Sequence, residues 1–197
     1  MLNLPSMVAI VSLLDAESTD RMNSLIHRLE REFGLKEVQT TPYPHLTWLT
    51  VNDGSLQNLK QTLGHAAGIC CKFRINTTGL GVFPGPKPVL YIPVIRTQGV
   101  NRFHGQLHEA VASFCQEIGK HYHPSIWMPH LSLALGDTSP EVVSQALLYL
   151  NQENFDWHIE LDNLALLTKR QDKFLKDGEF PLVGVEEEAA FKLSTKY

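Results

Sequence analysis

The middle of the stretch "PYPHLTWLT" (residues 42–50) returns within "MPHLSLALG" (residues 128–136). Both copies write Pro-His-Leu followed by a small hydroxyl residue, and both run on into apolar residues of strand character. On a strand, side chains two positions apart share a face. His45 and Thr47 therefore point one way, as do His130 and Ser132, while Leu46, Trp48, Leu131 and Leu133 turn toward a core. If the two strands oppose their polar faces, two imidazoles and two hydroxyls converge on one cleft.

Outward from the motifs, the chain repeats a plan. "MVAIVSLL" reads as a buried strand from Val8 to Leu14, and "TDRMNSLIHRLEREFG" spaces Met22, Leu25, Ile26, Leu29 and Phe33 as one helix face ending at Gly34. After the first motif come a short helix, "GSLQNLKQTLGHAAG", and the strands "KFRINTTGLGVF" and "VLYIPVIR" around the turn "PGPKP". The second half opens with the helix "GVNRFHGQLHEAVASFCQEIG", which carries Val100, Phe103, Leu107, Val111 and Phe114 on one face. Its motif strand "SIWMPHLSLAL" leads to a helix with Ser139 as N-cap and Pro140 at its first position. "FDWHIELDNLALLTKR" then closes as one long or two short strands, and the charged tail from about Gly184 reads as peripheral. Helix, motif strand, helix and further strands thus occur twice. The expected fold class is α+β: a bilobal, pseudo-twofold duplicated unit with two antiparallel sheets facing a central cleft and helices on the outside. Residues 1–197 are expected to form a single bilobal domain with one motif per lobe, His45 in one and His130 in the other.

Composition narrows the function classes. At 197 residues with 43% hydrophobic content the chain can bury a core. A formal net charge of -4 speaks against gripping long nucleic acid through counterion release, whereas a small nucleotide or an RNA end needs only a few local cations. No Lys or Arg precedes the apolar N-terminal run and acidic residues follow it, so it reads as a strand rather than a signal peptide. No stretch approaches the roughly 18–20 apolar residues of a membrane span. Cys70, Cys71 and Cys115 are odd in number and lack framework spacing, which suits free thiols in a reducing cytoplasm.

The paired motif suits in-line displacement at phosphorus. Two histidines, each with an ordinary pKa near 6.5, can be held one neutral and one protonated, so that one takes a proton while the other gives one. The hydroxyls of Thr47 and Ser132 are donors for the non-bridging oxygens, and imidazolium stabilises developing charge. This chemistry requires no metal and no cofactor. His104 and His108 lie one helical turn apart, a metal-ligand spacing, with His121 and His123 nearby, yet no acidic cluster or Cys-x-x-Cys accompanies them. Lys87, Arg74, Arg96, Lys169 and Arg170 are cations near the motif strands, each more ordinary as a solvated charge. Of the aromatic residues, Trp48 and Trp127 fall on core parity, Phe83 and Tyr91 flank a turn, and Tyr43 shares the parity of His45, which makes it the candidate for substrate binding.

The two copies, His45-Leu46-Thr47 and His130-Leu131-Ser132, resemble the paired His-x-Thr/Ser signature of the 2H phosphoesterase superfamily. That group includes bacterial and archaeal 2′-5′ RNA ligase-like proteins and plant cyclic nucleotide phosphodiesterases. "LGVFPGPKPVLYIPV" is similar to the strand-turn-strand that follows the family's first motif, and "QLHEAV" sits where its mid-chain helix falls. The likeness covers roughly residues 7–183, and Ser132 in place of Thr is a variation the family tolerates. The resemblance implies a bilobal fold with both motifs on a central cleft, and hydrolysis of a 2′,3′-cyclic phosphate or related ribose phosphodiester. It implies catalysis by His45 and His130, with Thr47 and Ser132 holding phosphate. By analogy His130 activates water and His45 protonates the departing ribose oxygen, and pseudo-symmetry leaves the reverse open. Three alternatives stand beside this reading: 2′-5′ RNA ligation, RNA-end or nucleotide binding without turnover, and a metal hydrolase built on His104 and His108.

Overall fold

The computed structural model describes residues 7–52 and 55–185. The end of the charged tail, from residue 186, lies outside the described residues. Its first residues are tied down: Val183 and Gly184 donate backbone hydrogen bonds to the Ala67 and Cys70 carbonyls at 3.1 and 3.0 Å.

The described residues fold into four α-helices and nine strands. β1 (Val8–Leu13) lies between β2 (His45–Val51) and β8 (Asn163–Arg170), and β9 (Lys173–Pro181) closes this antiparallel sheet in the order β2-β1-β8-β9. Because neighbours flank β1 on both sides and both its faces are covered, its residues form an unbroken apolar run with Ser12 the exception. Ser12 is satisfied by donating to the Asn163 carbonyl at 2.7 Å and accepting from Trp48 Nε1 at 2.8 Å.

A second group of strands stands apart from the first. β4 (Gly81–Phe83), β5 (Val89–Pro93) and β6 (His130–Ala134) form one antiparallel sheet, and β3 (Phe73–Asn76) pairs with β7 (His158–Leu161) in another. The expectation of two sheets thus meets three hydrogen-bonded ones. An antiparallel bridge between Thr77 and Val94 joins the two smaller sheets, because the chain kinks at Thr77–Leu80 between β3 and β4 and breaks what would be one long strand. Nor are the sheets sequential halves: β8 and β9 return to the sheet begun by β1 and β2. Each motif strand, β2 and β6, lies at the edge of its own sheet.

α1 (Ala16–Phe33) begins at Asp15, whose carboxylate accepts from Ser18 N–H at 2.7 Å, and ends at Gly34 in the left-handed region (φ 73°). It buries Met22, Leu25, Ile26 and Leu29 and packs against β6 and α4 (Pro140–Leu150). α2 (Leu56–Ile69) packs against β8 and β9, and α3 (Gln98–Ala112) against β2. α3 stops at Ala112, short of the extent its apolar spacing predicts, and its buried face includes His104 where the sequence suggested Phe103. None of the described helices is long and apolar enough to cross a membrane.

β9 was not legible in the sequence. Its "KFLKDGEFP" carries charges on an edge strand exposed along much of its length, a composition that keeps sheet edges from pairing with other chains.

Candidate active site

Each motif strand carries a bulge at the same place. Val11 pairs with Thr47 and Ile10 with Leu49, so Trp48 is the extra residue; Tyr91 pairs with Ser132 and Leu90 with Ala134, so Leu133 is the extra one. A bulge resets the alternation of faces. His45, Thr47 and Thr50 consequently line one cleft together with His130, Ser132 and Leu135, while Leu46, Trp48, Leu49, Leu131, Leu133 and Ala134 are buried. The cleft has a volume of about 1000 Å³.

The two histidines are held in the same way. His45 Nδ1–H donates to the Tyr43 carbonyl at 2.6 Å, and His130 Nδ1–H donates to the Met128 carbonyl at 2.7 Å. Since a carbonyl only accepts, both rings carry their proton on Nδ1 when neutral, which leaves Nε2 of each as the nitrogen available to a ligand. The backbone that sets the rings is itself pinned in parallel fashion. Leu14 N–H donates to the Pro44 carbonyl at 3.2 Å, and Val94 N–H donates to the Pro129 carbonyl at 2.9 Å.

Burial lowers the pKa of both rings below that of a free imidazole, against the opposing pull of the carbonyls of Tyr43 and Met128. Charge on His130 lowers His45 further. An anion between the rings acts the other way by stabilising imidazolium. The lining includes His27, His45, His121 and His130 but no Lys, Arg, Asp or Glu. Positive charge from the described lining therefore comes from imidazolium.

The segment leading into β6 locks the two motif strands together. Trp127 Nε1–H donates to the Thr47 carbonyl at 3.3 Å, the Trp127 ring lies 5.4 Å from that of Trp48, and His104 stacks flat on it at 3.8 Å. His104 Nε2–H donates to the Trp48 carbonyl at 3.2 Å. Its Nδ1 is buried without a hydrogen-bond partner, and burial is the main cause that pushes its pKa down to about 4. His104 is thus a neutral core residue, stacked in the aromatic layer behind β2. The ring centroids of His104 and His108 are 6.4 Å apart, and among the described residues no group of three or more His, Cys, Asp or Glu side chains is placed to hold a metal ion.

The remaining candidates sort by position. Tyr43 is half-buried, lines the cleft and packs with Phe174 over Ala9, Val11, Ala165 and Leu167. Trp48 is core, and Trp127, though nearly fully buried, touches the cleft wall. Phe83 lines the cleft, stacks on Tyr91 at 4.2 Å, and sets its ring 4.9 Å from His130. Arg96 is a structural pin, donating to the Trp127 and Pro124 carbonyls at 2.9 Å each. Arg170 pairs with Asp177 at 3.6 Å, Lys87, Arg74 and Lys169 are exposed, and none of the five cations lines the cleft. Sequence reasoning missed Tyr122, Ile126 and Met128 at the cleft wall. Their only local signal is proximity to the second motif, because contact with β2 depends on the long connection from α3.

A family model described as the 2′-5′ RNA ligase superfamily matches residues 16–173. Among curated proteins no sequence matches the chain. Solved structures do. The crystal structure of TT0787 of Thermus thermophilus is similar with a TM-score of 0.62 at 18% identity, over 90% of this chain and 98% of that one. That of E. coli LigT complexed with 3′-AMP has a TM-score of 0.58 at 17% identity, over 91% of this chain and 99% of that one. That of E. coli LigT complexed with phosphate has a TM-score of 0.54 at 16% identity, over the same shares. A match running from α1 to the start of β9, on a fold these structures share, shows that the chain belongs to the 2′-5′ RNA ligase superfamily, the 2H phosphoesterases.

Proposed function

We propose that this protein is a metal-independent phosphodiesterase that hydrolyses a 2′,3′-cyclic phosphate, or a related ribose phosphodiester of a nucleotide or RNA end, with His45 and His130 as its acid–base pair. The observation that carries this reading is the matched tethering of the two imidazoles. Each spends Nδ1–H on its own backbone, and each lines one cleft beside a hydroxyl, Thr47 or Ser132. One histidine takes a proton from water as the water oxygen bonds to phosphorus. The bond from phosphorus to a ribose oxygen breaks, and the other histidine gives that oxygen its proton. Thr47 and Ser132 hold the non-bridging oxygens, and imidazolium offsets the charge that builds on them. Tyr43, on the apolar wall beside His45, offers a ring to the nucleoside. The ligands named in the LigT complexes, 3′-AMP and phosphate, are of the chemical class this cleft would take.

Burial lowers both imidazoles, and the repulsion between two imidazolium rings is shared by the pair, so one ring takes up its proton before the other and the pair offers one base and one acid. His130 toward water and His45 toward the leaving oxygen is the assignment drawn by analogy, and the matched tethers serve the reverse as well. The equivalent bulges, tethers and edge positions of β2 and β6 support a pseudo-twofold duplication within one bilobal domain of residues 1–197. The thiols of Cys70 and Cys71, adjacent yet not joined to each other, support a cytoplasmic setting.

The test is incubation of the purified protein with the four 2′,3′-cyclic nucleotides at pH 7 in excess EDTA, beside His45→Ala and His130→Ala. Wild type is expected to release a single monophosphate isomer, and each folded variant to lose roughly 10²- to 10⁴-fold in rate. Cleavage that persists in both variants, or that EDTA abolishes, refutes the proposal. Binding of the same ligands without turnover identifies a nucleotide-binding protein instead.

A further inference from the structure

Arg96 is an exposed residue just beyond β5, and every nitrogen of its guanidinium is used. Nε donates to Asn101 Oδ1 in the first turn of α3 at 2.7 Å, and the two terminal nitrogens donate to the Trp127 and Pro124 carbonyls at 2.9 Å each. Trp127 and Pro124 belong to the segment that leads into β6. The same segment supplies the Met128 carbonyl, which accepts from His130 Nδ1–H at 2.7 Å. Backbone pairing between the β5 and β6 sides reaches only as far as Val94 N–H, which donates to the Pro129 carbonyl at 2.9 Å; Trp127 N–H turns away to the His123 carbonyl at 2.9 Å. Past that rung, the Arg96 side chain takes over from the backbone.

The Met128 carbonyl fixes the tautomer of His130, yet its own peptide carries no N–H to anchor it, because the next residue is Pro129. Its direction is set by its neighbours. On one side Arg96 holds the Trp127 carbonyl; on the other Val94 holds the Pro129 carbonyl, with the proline ring fixing φ between them. The Ile126 and Met128 side chains are exposed, so their packing does not hold the backbone here. Among the described residues no guanidinium bonds the segment before His45, where Leu14 N–H carries the Pro44 carbonyl. We infer that Arg96 is a positioning residue of the active site: its fork of donors fixes the backbone that presents the Met128 carbonyl to His130, and so aims His130 Nε2 into the cleft. Its consequence for catalysis rests on the phosphoesterase reading above. Lysine cannot replace it, since a single ammonium does not reproduce the planar fork that spans these acceptors.

Two variants test it. Arg96→Lys keeps the charge and loses the fork, and Arg96→Gln keeps a planar amide that can serve one carbonyl. Nitrogen NMR of the imidazoles, at a pH where both rings are neutral, reads the tautomers of His45 and His130; steady-state kinetics on a 2′,3′-cyclic nucleotide reads kcat and KM. In wild type both rings are expected to carry Nδ1–H. Either substitution should move His130 toward the Nε2–H form while the His45 signal stays in place. It should also lower kcat by roughly 10- to 10²-fold, the effect of a misplaced reacting group, with KM changed by no more than about twofold. A general loosening of the fold would not single out one of two matched rings. An unchanged His130 tautomer, equal changes in both rings, or a wild-type kcat overturns the inference. So does failure of both variants to fold, which would make Arg96 a support of the whole fold and not of His130. If wild type cleaves nothing, the hydrolytic reading fails while the imidazole signals still decide the role of Arg96.

Discussion

Replacing His104 with phenylalanine should flatten the acid limb of this protein's stability profile. His104 is completely buried, stacked on Trp127 at 3.8 Å, and bonded through Nε2–H to the Trp48 carbonyl. Burial is the leading cause that brings its pKa to about 4; the Trp48 carbonyl opposes this, and the nearby charges of His108 and Arg96 add to it. The unfolded chain restores a value near 6.5. The folded state therefore binds fewer protons than the unfolded state between these two values. Stability is fully present above about pH 6.5 and drains as pH falls toward 4. A gap of about 2.5 units at about 1.4 kcal/mol each is about 3 kcal/mol, a large share of the roughly 5–15 kcal/mol that stabilises a typical domain. Phenylalanine keeps a flat ring against Trp127 and removes the titration, at a pH-independent cost of about 1–2 kcal/mol for the lost hydrogen bond. Urea unfolding of both proteins from pH 7.5 to pH 4 measures the difference. His45, His108 and His130 titrate in both and largely cancel. The variant should gain about 3 kcal/mol relative to wild type across that window. Parallel profiles would refute the argument, because a ring that titrates normally cannot be the buried neutral group described.

Other outcomes follow from the same geometry. Phosphate binding near pH 7 should take up protons, since an anion raises the lowered pKa values of His45 and His130; calorimetry in buffers of different ionisation enthalpy reads the uptake, and it should shrink in His130→Ala. Gly119→Ala should destabilise the fold by about 1–3 kcal/mol through its clash with Thr50 and Tyr122, seen as a lower urea midpoint with an unchanged slope. Trp48→Ala should cost about 3–5 kcal/mol, because the indole is wholly buried among Phe73, Phe103 and Trp127 and leaves a cavity behind; a loss under about 1 kcal/mol by urea unfolding would contradict that packing.

Much of the local structure was legible because its causes are local. Ser139 and Gly34 bound their helices through contacts within a few residues, and the apolar spacing of Met22, Leu25, Ile26 and Leu29 marks the face that is buried. The two-residue period of a strand was enough to divide His45 and Thr47 from Leu46 and Trp48. Where the reading went astray, a distant partner was responsible. The burial of His104 follows from its contacts with Trp48 and Trp127, which lie far away in sequence.

What the sequence by itself determined is which side chains share a face and which chemistry they can perform: two imidazoles, each two residues from a hydroxyl, on strands of matched pattern. What only the tertiary structure decided is how those faces meet. The bulges at Trp48 and Leu133 arise from pairing with β1 and β5, so no property of either motif alone announces them. Tyr122 reaches the cleft because Gly119 lets the connection after α3 lie against β2. A strand's period is written in its own backbone, whereas register, bulge and cross-strand contact belong to two segments at once and exist only when both are in place.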